Sequence, residues 1–182
     1  MKGLETRHVA ALLLVSLAFL GFMLLPGGKS DSRARKASME LELGFRGDVI
    51  PEKYTCDGQN ISPPVRFQEL PEETETVALI MDDPDAPVRV FDHWAVWNVT
   101  SGRLDEGLPA QEKLTSGAVQ GTNDFGDVGY SGPCPPTGTH TYRFRAYALE
   151  SPMDLEPGAP ADELEAAVEK HAIAQDTVRR EY

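Results

Sequence analysis

Residues 129–149 read GYSGPCPPTGTHTYRFRAYAL. Two patterns meet in this stretch. From Gly129 to Gly138, glycines alternate with prolines that stiffen the backbone and withhold N–H donors, so the segment can be neither helix nor regular strand. From Thr141 to Leu149 a period of two takes over, with Tyr142, Phe144, Ala146 and Ala148 on one face and Arg143 and Arg145 on the other. The reading is a strand with one apolar face, entered through a rigid, glycine-punctuated loop.

The same alternation of strand and turn signals extends in both directions. Met39, Leu41, Leu43 and Phe45 alternate with Glu40, Glu42 and Gly44. The run TVALIM (76–81) is short, apolar and rich in strand formers, as is WAVWNV (94–99). Between them lie the turn-forming stretches PEKYTCDGQNISPP (51–64) and DDPDAP (82–87). One helix is predicted late in the chain, with Asp162 as its cap, Glu165 three residues on as the partner in a capping box, and Leu164, Ala167, Val168 and Ala172 as its apolar stripe. These patterns predict a fold dominated by β-structure, a two-sheet antiparallel β-sandwich with a C-terminal helix packed on it.

The 182 residues suffice for one domain with a proper core. The net charge is −12, and since residues 1–38 hold six Lys/Arg against two Asp/Glu, the remainder stands at −16. A domain this acidic, with no basic patch interleaved with aromatics, is not expected to bind nucleic acid. Its acidity reads as solubility.

Residues 9–25, VAALLLVSLAFLGFMLL, are broken only by Ser16 and Gly21. Seventeen helical residues span roughly 25 Å, near the lower limit for a bilayer core. The segment reads as an N-terminal hydrophobic helix that is either an uncleaved membrane anchor or a cleaved signal, since no clear cleavage site follows Leu25. Lys29, Arg33, Arg35 and Lys36 outnumber Lys2 and Arg7, which favours a cytoplasmic domain. The signal-like position favours export, and an extracytoplasmic domain is the expectation. Residues 26–38 read as a flexible linker, so the chain divides into a signal or anchor segment with its linker (1–38) and a folded domain (39–182).

Candidate chemistry gathers at the turn–strand junctions. Asp83 and Asp85, two apart, face the same way if DDPDAP is extended; Asp82 reads as a solvated acid at a capped turn. His93 opens a strand, where a lone histidine is commonly structural. His140 and Tyr142 share one face of the strand that follows the loop.

Taken together, YTCDGQNISPP, DPDAP, HW and GYSGPCPPTGTHTYRFRAYAL resemble the prokaryotic branch of the phosphatidylethanolamine-binding and Raf-kinase-inhibitor-like family, in both order and spacing, over about residues 40–182. The resemblance implies a two-sheet sandwich with an anion pocket near one end. Asp83, His93, His140 and Tyr142 would line it and Pro135 and Pro136 would form its rim. It implies a small anionic or phosphorylated ligand, a regulatory role, and a kinase or protease as a protein partner. The N-terminal hydrophobic segment departs from cytoplasmic members and would bring the chain to a membrane.

Such a pocket is chemically coherent. Imidazole and phenol offer N–H and O–H donors to phosphate oxygens, and turn amides beside Gly132 and Gly138 would add more. Asp83 would orient an imidazole, hold it cationic, or accept from a ligand amine. GYSGP nearly matches the G-x-S-x-G elbow but ends in Pro and is followed by no strand-to-helix turn, so that motif fails. Two alternatives stay open. Cys134 near His140 would make a thiol–imidazole pair for a hydrolase. Asp83, His93 and His140 suit a metal, though no HExxH or CxxC spacing accompanies them; no metal or other cofactor is expected. Cys56 and Cys134 both flank the pocket region and are expected to be neighbours, either as a disulfide or as two buried thiols.

Overall fold

The computed structural model describes residues 38–182; the hydrophobic segment 9–25 and the linker up to residue 37 lie outside it. Among the described residues no helix is long and apolar enough to cross a membrane.

The domain is built of β1 (Glu40–Leu43), β2 (Val65–Gln68), β3 (Thr76–Asp83), β4 (Phe91–Val99), β5 (Arg103–Leu104), β6 (Val119–Gln120), β7 (Thr141–Leu149), α1 (Ala161–His171) and β8 (Ala172–Glu181). A short 3-10 turn, Glu52–Tyr54, precedes β2. The strands form two antiparallel sheets, β1-β2-β5 and β6-β4-β3-β7-β8.

Alternation explains the core. Leu41, Leu43, Val65 and Phe67 project from the small sheet onto Val77, Leu79, Met81, Trp94, Val96, Tyr142, Phe144 and Ala146 of the large one. The opposite face of the large sheet carries Ala78, Ile80, Ala95, Trp97, Tyr147 and Leu149, covered by Leu164 and Val168 of α1 and by Met153 and Ala159. β3 is therefore buried at every position, which is why its sequence is a continuous apolar run.

Three details differ from the expectations. The helix starts at Ala161 behind Pro160 with no side-chain cap, and Asp162 instead accepts the neighbouring Glu163 amide. Glu165, the expected capping-box partner, turns to the sheet and pairs with Arg145. The helix is also not the last element. Ala172 leaves it directly as β8, an outer strand that pairs with β7 from Thr141↔Glu181 to Leu149↔Ala172.

The third difference concerns Asp82. It is not solvated: its exposure is 0%, because it continues the outer face of β3 beneath Arg143 and Arg145 of β7. Arg143 Nε donates to Oδ1 at 2.6 Å, and Arg145 lies 2.6 Å from Oδ2 as an ionic contact rather than an aligned hydrogen bond. A buried carboxylate is tolerated only with such partners. Replacing it leaves Arg143 without its carboxylate and Arg145 with Glu165 alone, so Asp82→Ala is expected to lower the unfolding free energy by about 3 kcal/mol. Urea denaturation followed by tryptophan fluorescence measures this, and a loss below ~1 kcal/mol would show that the arginines find water instead.

Candidate functional site

The C-terminal end of β3 and the N-terminal ends of β4 and β7 converge on a cavity of about 220 Å³. Asp83, His93, His140 and Tyr142 bring the polar groups, and Ala86, Pro87, Phe91, Phe125, Cys134 and Pro136 complete the lining. The fold thus gathers the four polar residues that the family resemblance implies, while Asp85 lies outside the lining. Of the two prolines expected at the rim, Pro136 is part of the lining and Pro135 is not.

A β-bulge places His93. Met81 pairs with Trp94 and Asp82 with Asp92, so His93 is an extra residue opposite no partner. Strict alternation from the inward-facing Trp94 would have sent His93 to the helix side of the sheet. The bulge instead leaves it on the sandwich side, edge-on to Tyr142 with ring centroids 5.3 Å apart. Asp92 is turned to the helix side, where Asp82 lies. The backbone atoms that the bulge frees are used by the next loop: Ser131 N donates to the His93 carbonyl at 3.0 Å.

Each imidazole is anchored through Nδ1. His93 Nδ1 lies 2.7 Å from the Ser131 carbonyl oxygen, and His140 Nδ1 lies 2.7 Å from Asp83 Oδ2. A carbonyl or carboxylate oxygen only accepts, so Nδ1 carries the hydrogen in both rings and Nε2 is the nitrogen left for the cavity. Asp83 is held in turn by the Asp85 amide on Oδ1 at 2.8 Å, while Asp85 Oδ2 accepts the Thr141 amide at 2.8 Å. Burial lowers the His93 pKa from its ordinary value, against the raising influence of the Ser131 carbonyl and Asp83. Burial, then Asp83, raises that of Tyr142, whose phenol stays protonated. The Tyr142 hydroxyl is buried and has no hydrogen-bond partner among the described residues; the Cys134 amide lies beside it without aligned geometry.

The loop 130–134 is pinned to the segment around the 3-10 turn. Tyr130 Oη donates to the Tyr54 carbonyl at 2.6 Å, Gly132 N to Asn60 Oδ1 at 2.7 Å and Cys56 N to the Pro133 carbonyl at 3.1 Å. A disulfide joins Cys56 to Cys134, with 5.5 Å between the Cα atoms. A Cβ on residue 132 would come within 2.1 Å of the Tyr54 carbonyl, so this close approach requires glycine. Two expectations are corrected here. The Gly132 amide is spent on Asn60 and cannot serve an anion. Cys134, being in the disulfide, presents no thiol to His140. Ser131 Oγ, for its part, is held by Asn123 Nδ2 at 3.0 Å in a loop that enters a strand, so it is no nucleophile elbow.

Sequence reasoning missed the aromatic wall. Phe91 and Phe125 meet edge-to-face at 4.7 Å, and both pack near His93. Phe125 sits in a turn held by Asn123, whose Oδ1 accepts the Phe125 and Asp127 amides. A bulky apolar residue inside the turn-forming run GTNDFGD was the available signal. The salt bridge Arg89–Asp124 ties this turn to the loop after β3. Among the described residues there is no cluster of three or more His, Cys, Asp and Glu suited to a metal.

A family model described as phosphatidylethanolamine-binding protein matches residues 44–182. A UPF0098 protein of Methanothermobacter thermautotrophicus is 49% identical over 128 residues, covering 69% of this chain and 85% of its own. One from Pyrococcus horikoshii is 40% identical over 173 residues, covering 92% of this chain and 85% of its own. Among solved structures, a phosphatidylethanolamine-binding protein homologue from Chlamydia trachomatis is similar with TM-score 0.71 and 38% identity, over 80% of this chain and 97% of that one. Escherichia coli YbcL, described as a new member of the mammalian PEBP family, gives TM-score 0.72 and 28% identity over 80% and 98%.

Behind the cavity floor, burial together with Asp124 and Asp82 pushes the Asp92 pKa up to about 6. The folded state therefore keeps a proton on Asp92 that the unfolded chain releases at lower pH. The destabilisation is fully present above about pH 6 and fades as the pH falls toward 4. Since the group is partly solvated, Asp92→Asn is expected to stabilise the fold by only about 1 kcal/mol at pH 7.5, and by nothing measurable near pH 4. Paired urea titrations at the two pH values test this; an equal gain at both would remove the charge explanation.

Proposed function

Given that the chain belongs to the phosphatidylethanolamine-binding protein family, we propose that its cavity binds a small phosphate-type anion or a phosphorylated head group, and that the protein acts by binding, in a regulatory capacity, rather than as an enzyme. One observation carries this reading. A buried, unpartnered tyrosine hydroxyl stands beside two imidazoles, each with its free nitrogen left for the same cavity. Buried polar groups are satisfied in native proteins, so a cavity lined in this way calls for a polar occupant. Its apolar walls accommodate the organic part of an ester. The disulfide supports placing the domain outside the cytoplasm, where such bonds persist, with residues 9–25 as anchor or leader.

A second reading is favoured by the rim. Val88 is 94% exposed and Phe125 48% exposed, on the two loops that flank the cavity mouth. Apolar side chains around a polar pocket suit a protein partner that inserts a phosphorylated or acidic segment, the partner class being a kinase or protease.

Calorimetric titration with inorganic phosphate tests the first reading. Binding is expected in the micromolar to millimolar range, since a few charge-assisted hydrogen bonds of about 1.5–3 kcal/mol each are offset by ordering costs. His93→Ala and His140→Ala are each expected to weaken it roughly tenfold, and the double variant by less than the product because both rings hold one anion. Unchanged affinity in both single variants would place the anion elsewhere.

A further inference from the structure

The cavity is built from acceptors more than from donors. No Lys or Arg lines it. Arg143 and Arg145 lie on the reverse face of the sheet, bound to Asp82, and Arg89 is paired with Asp124 outside the lining. The groups that face the two imidazoles are Asp83 at the end of β3, Tyr142 on β7 and the Ser131 and Gly132 carbonyls. Asp124 acts on His93 from the turn beyond, while Asp85 and Tyr182 act on the neighbouring Tyr142. None of these is a cation. With Nδ1–H of His93 committed to Ser131 and that of His140 to Asp83, a neutral ring has only the Nε2 lone pair left for the cavity. The Tyr142 hydroxyl is the side-chain donor that stands free.

A fully ionised phosphate would meet Asp83 and two lone pairs, with one hydroxyl to hold it. Resting on the phosphate reading above, we infer that the pocket takes phosphate as the singly protonated monoester, ROPO3H−, with the ligand O–H donating to an imidazole Nε2 and Tyr142 donating to a phosphoryl oxygen. It follows that one proton enters from solvent with each ROPO3 2− bound. That proton resides on the ligand oxygen or on Nε2, and the count is the same in either case. Monoesters supply it readily because their second pKa is about 6. Phosphodiesters and sulfate have no such proton near neutrality. They offer no hydrogen to either Nε2 lone pair and need an imidazole that is already protonated, against the burial that lowers the His93 pKa. The selected class is therefore phosphomonoesters, and an intact diester is a poor ligand at neutral pH.

The test uses the full chain with methyl phosphate, dimethyl phosphate and sulfate as calorimetric probes, each in two buffers of different ionisation enthalpy. Methyl phosphate is expected to bind at least tenfold more tightly than dimethyl phosphate or sulfate at pH 7. Proton uptake is expected near one per ligand at pH 8, falling toward zero near pH 5.5, where the free ester is already singly protonated. His93→Gln keeps hydrogen-bonding capacity without titrating, and is expected to narrow the monoester preference. Methyl phosphate binding with no proton uptake at pH 8, or dimethyl phosphate binding as tightly, overturns the inference while leaving phosphate binding intact. Absence of methyl phosphate binding at both pH values overturns the phosphate reading as well. If the His93 variant does not fold, the wild-type preference for methyl phosphate over dimethyl phosphate and sulfate decides.

Discussion

Two adjacent carboxylates end a strand that is buried on both sides, and the architecture of the site follows from keeping both. Asp82 and Asp83 point to opposite faces of β3 because side chains alternate. Neither can stay unpaired in an apolar interior. Asp82 meets the guanidinium groups of Arg143 and Arg145 on the helix side. Asp83 meets the ring of His140 and the amide of Asp85 on the sandwich side. Arg143 and Tyr142 are likewise neighbours on β7, and Asp92 and His93 on β4, each pair divided between the two faces. One end of one sheet thus carries an ionic network on its back and a cavity on its front.

The cavity is held by a network that lies mostly behind its lining. Ser131 receives the His93 ring and donates to its backbone, and Asn123 fixes both Ser131 and the turn that carries Phe125. The disulfide and the Asn60–Gly132 hydrogen bond fasten this loop to the segment leading into the small sheet. On the chain-entropy model, a bridge across a sequence separation of 78 stabilises the fold by about 4 kcal/mol. It also keeps the loop from relaxing away from His93, so the Nδ1 anchor that sets the tautomer is rigid.

Much of the sandwich was legible because burial writes itself into period-two alternation and, for β3, into an unbroken apolar run. β8 was not legible. Its sequence, AIAQDTVRRE, mixes small, charged and branched residues, because an outer strand is half solvated and needs no apolar face throughout. The short strands β2, β5 and β6 are likewise too brief for a period to show. At the site, Asp83, His93, His140 and Tyr142 stood out through their positions at turn–strand junctions and through the family resemblance. Asp82 was misread because its partners, Arg143 and Arg145, lie some sixty residues away in sequence. Phe91 and Phe125 went unnoticed because an aromatic beside a turn carries no periodic signal. Their role depends on two loops meeting, which only the tertiary structure specifies.

The bulge at His93 makes the identity of the cavity a matter of parity. Substitutions along β4 change which side chain stands at a place; a one-residue deletion at the bulge changes which of its residues is left, and on which face. Loss of His93 itself would restore regular pairing, keep Asp92 opposite Asp82 and leave Trp94 in the core, yet remove an imidazole from the cavity without any loss of the scaffold. Loss of Asp92 would instead carry His93 through the sheet to stand against Asp82. Descent within such a fold can therefore abolish or reinvent a binding site by slippage of a single codon, leaving the sandwich intact and its resemblance to relatives undiminished.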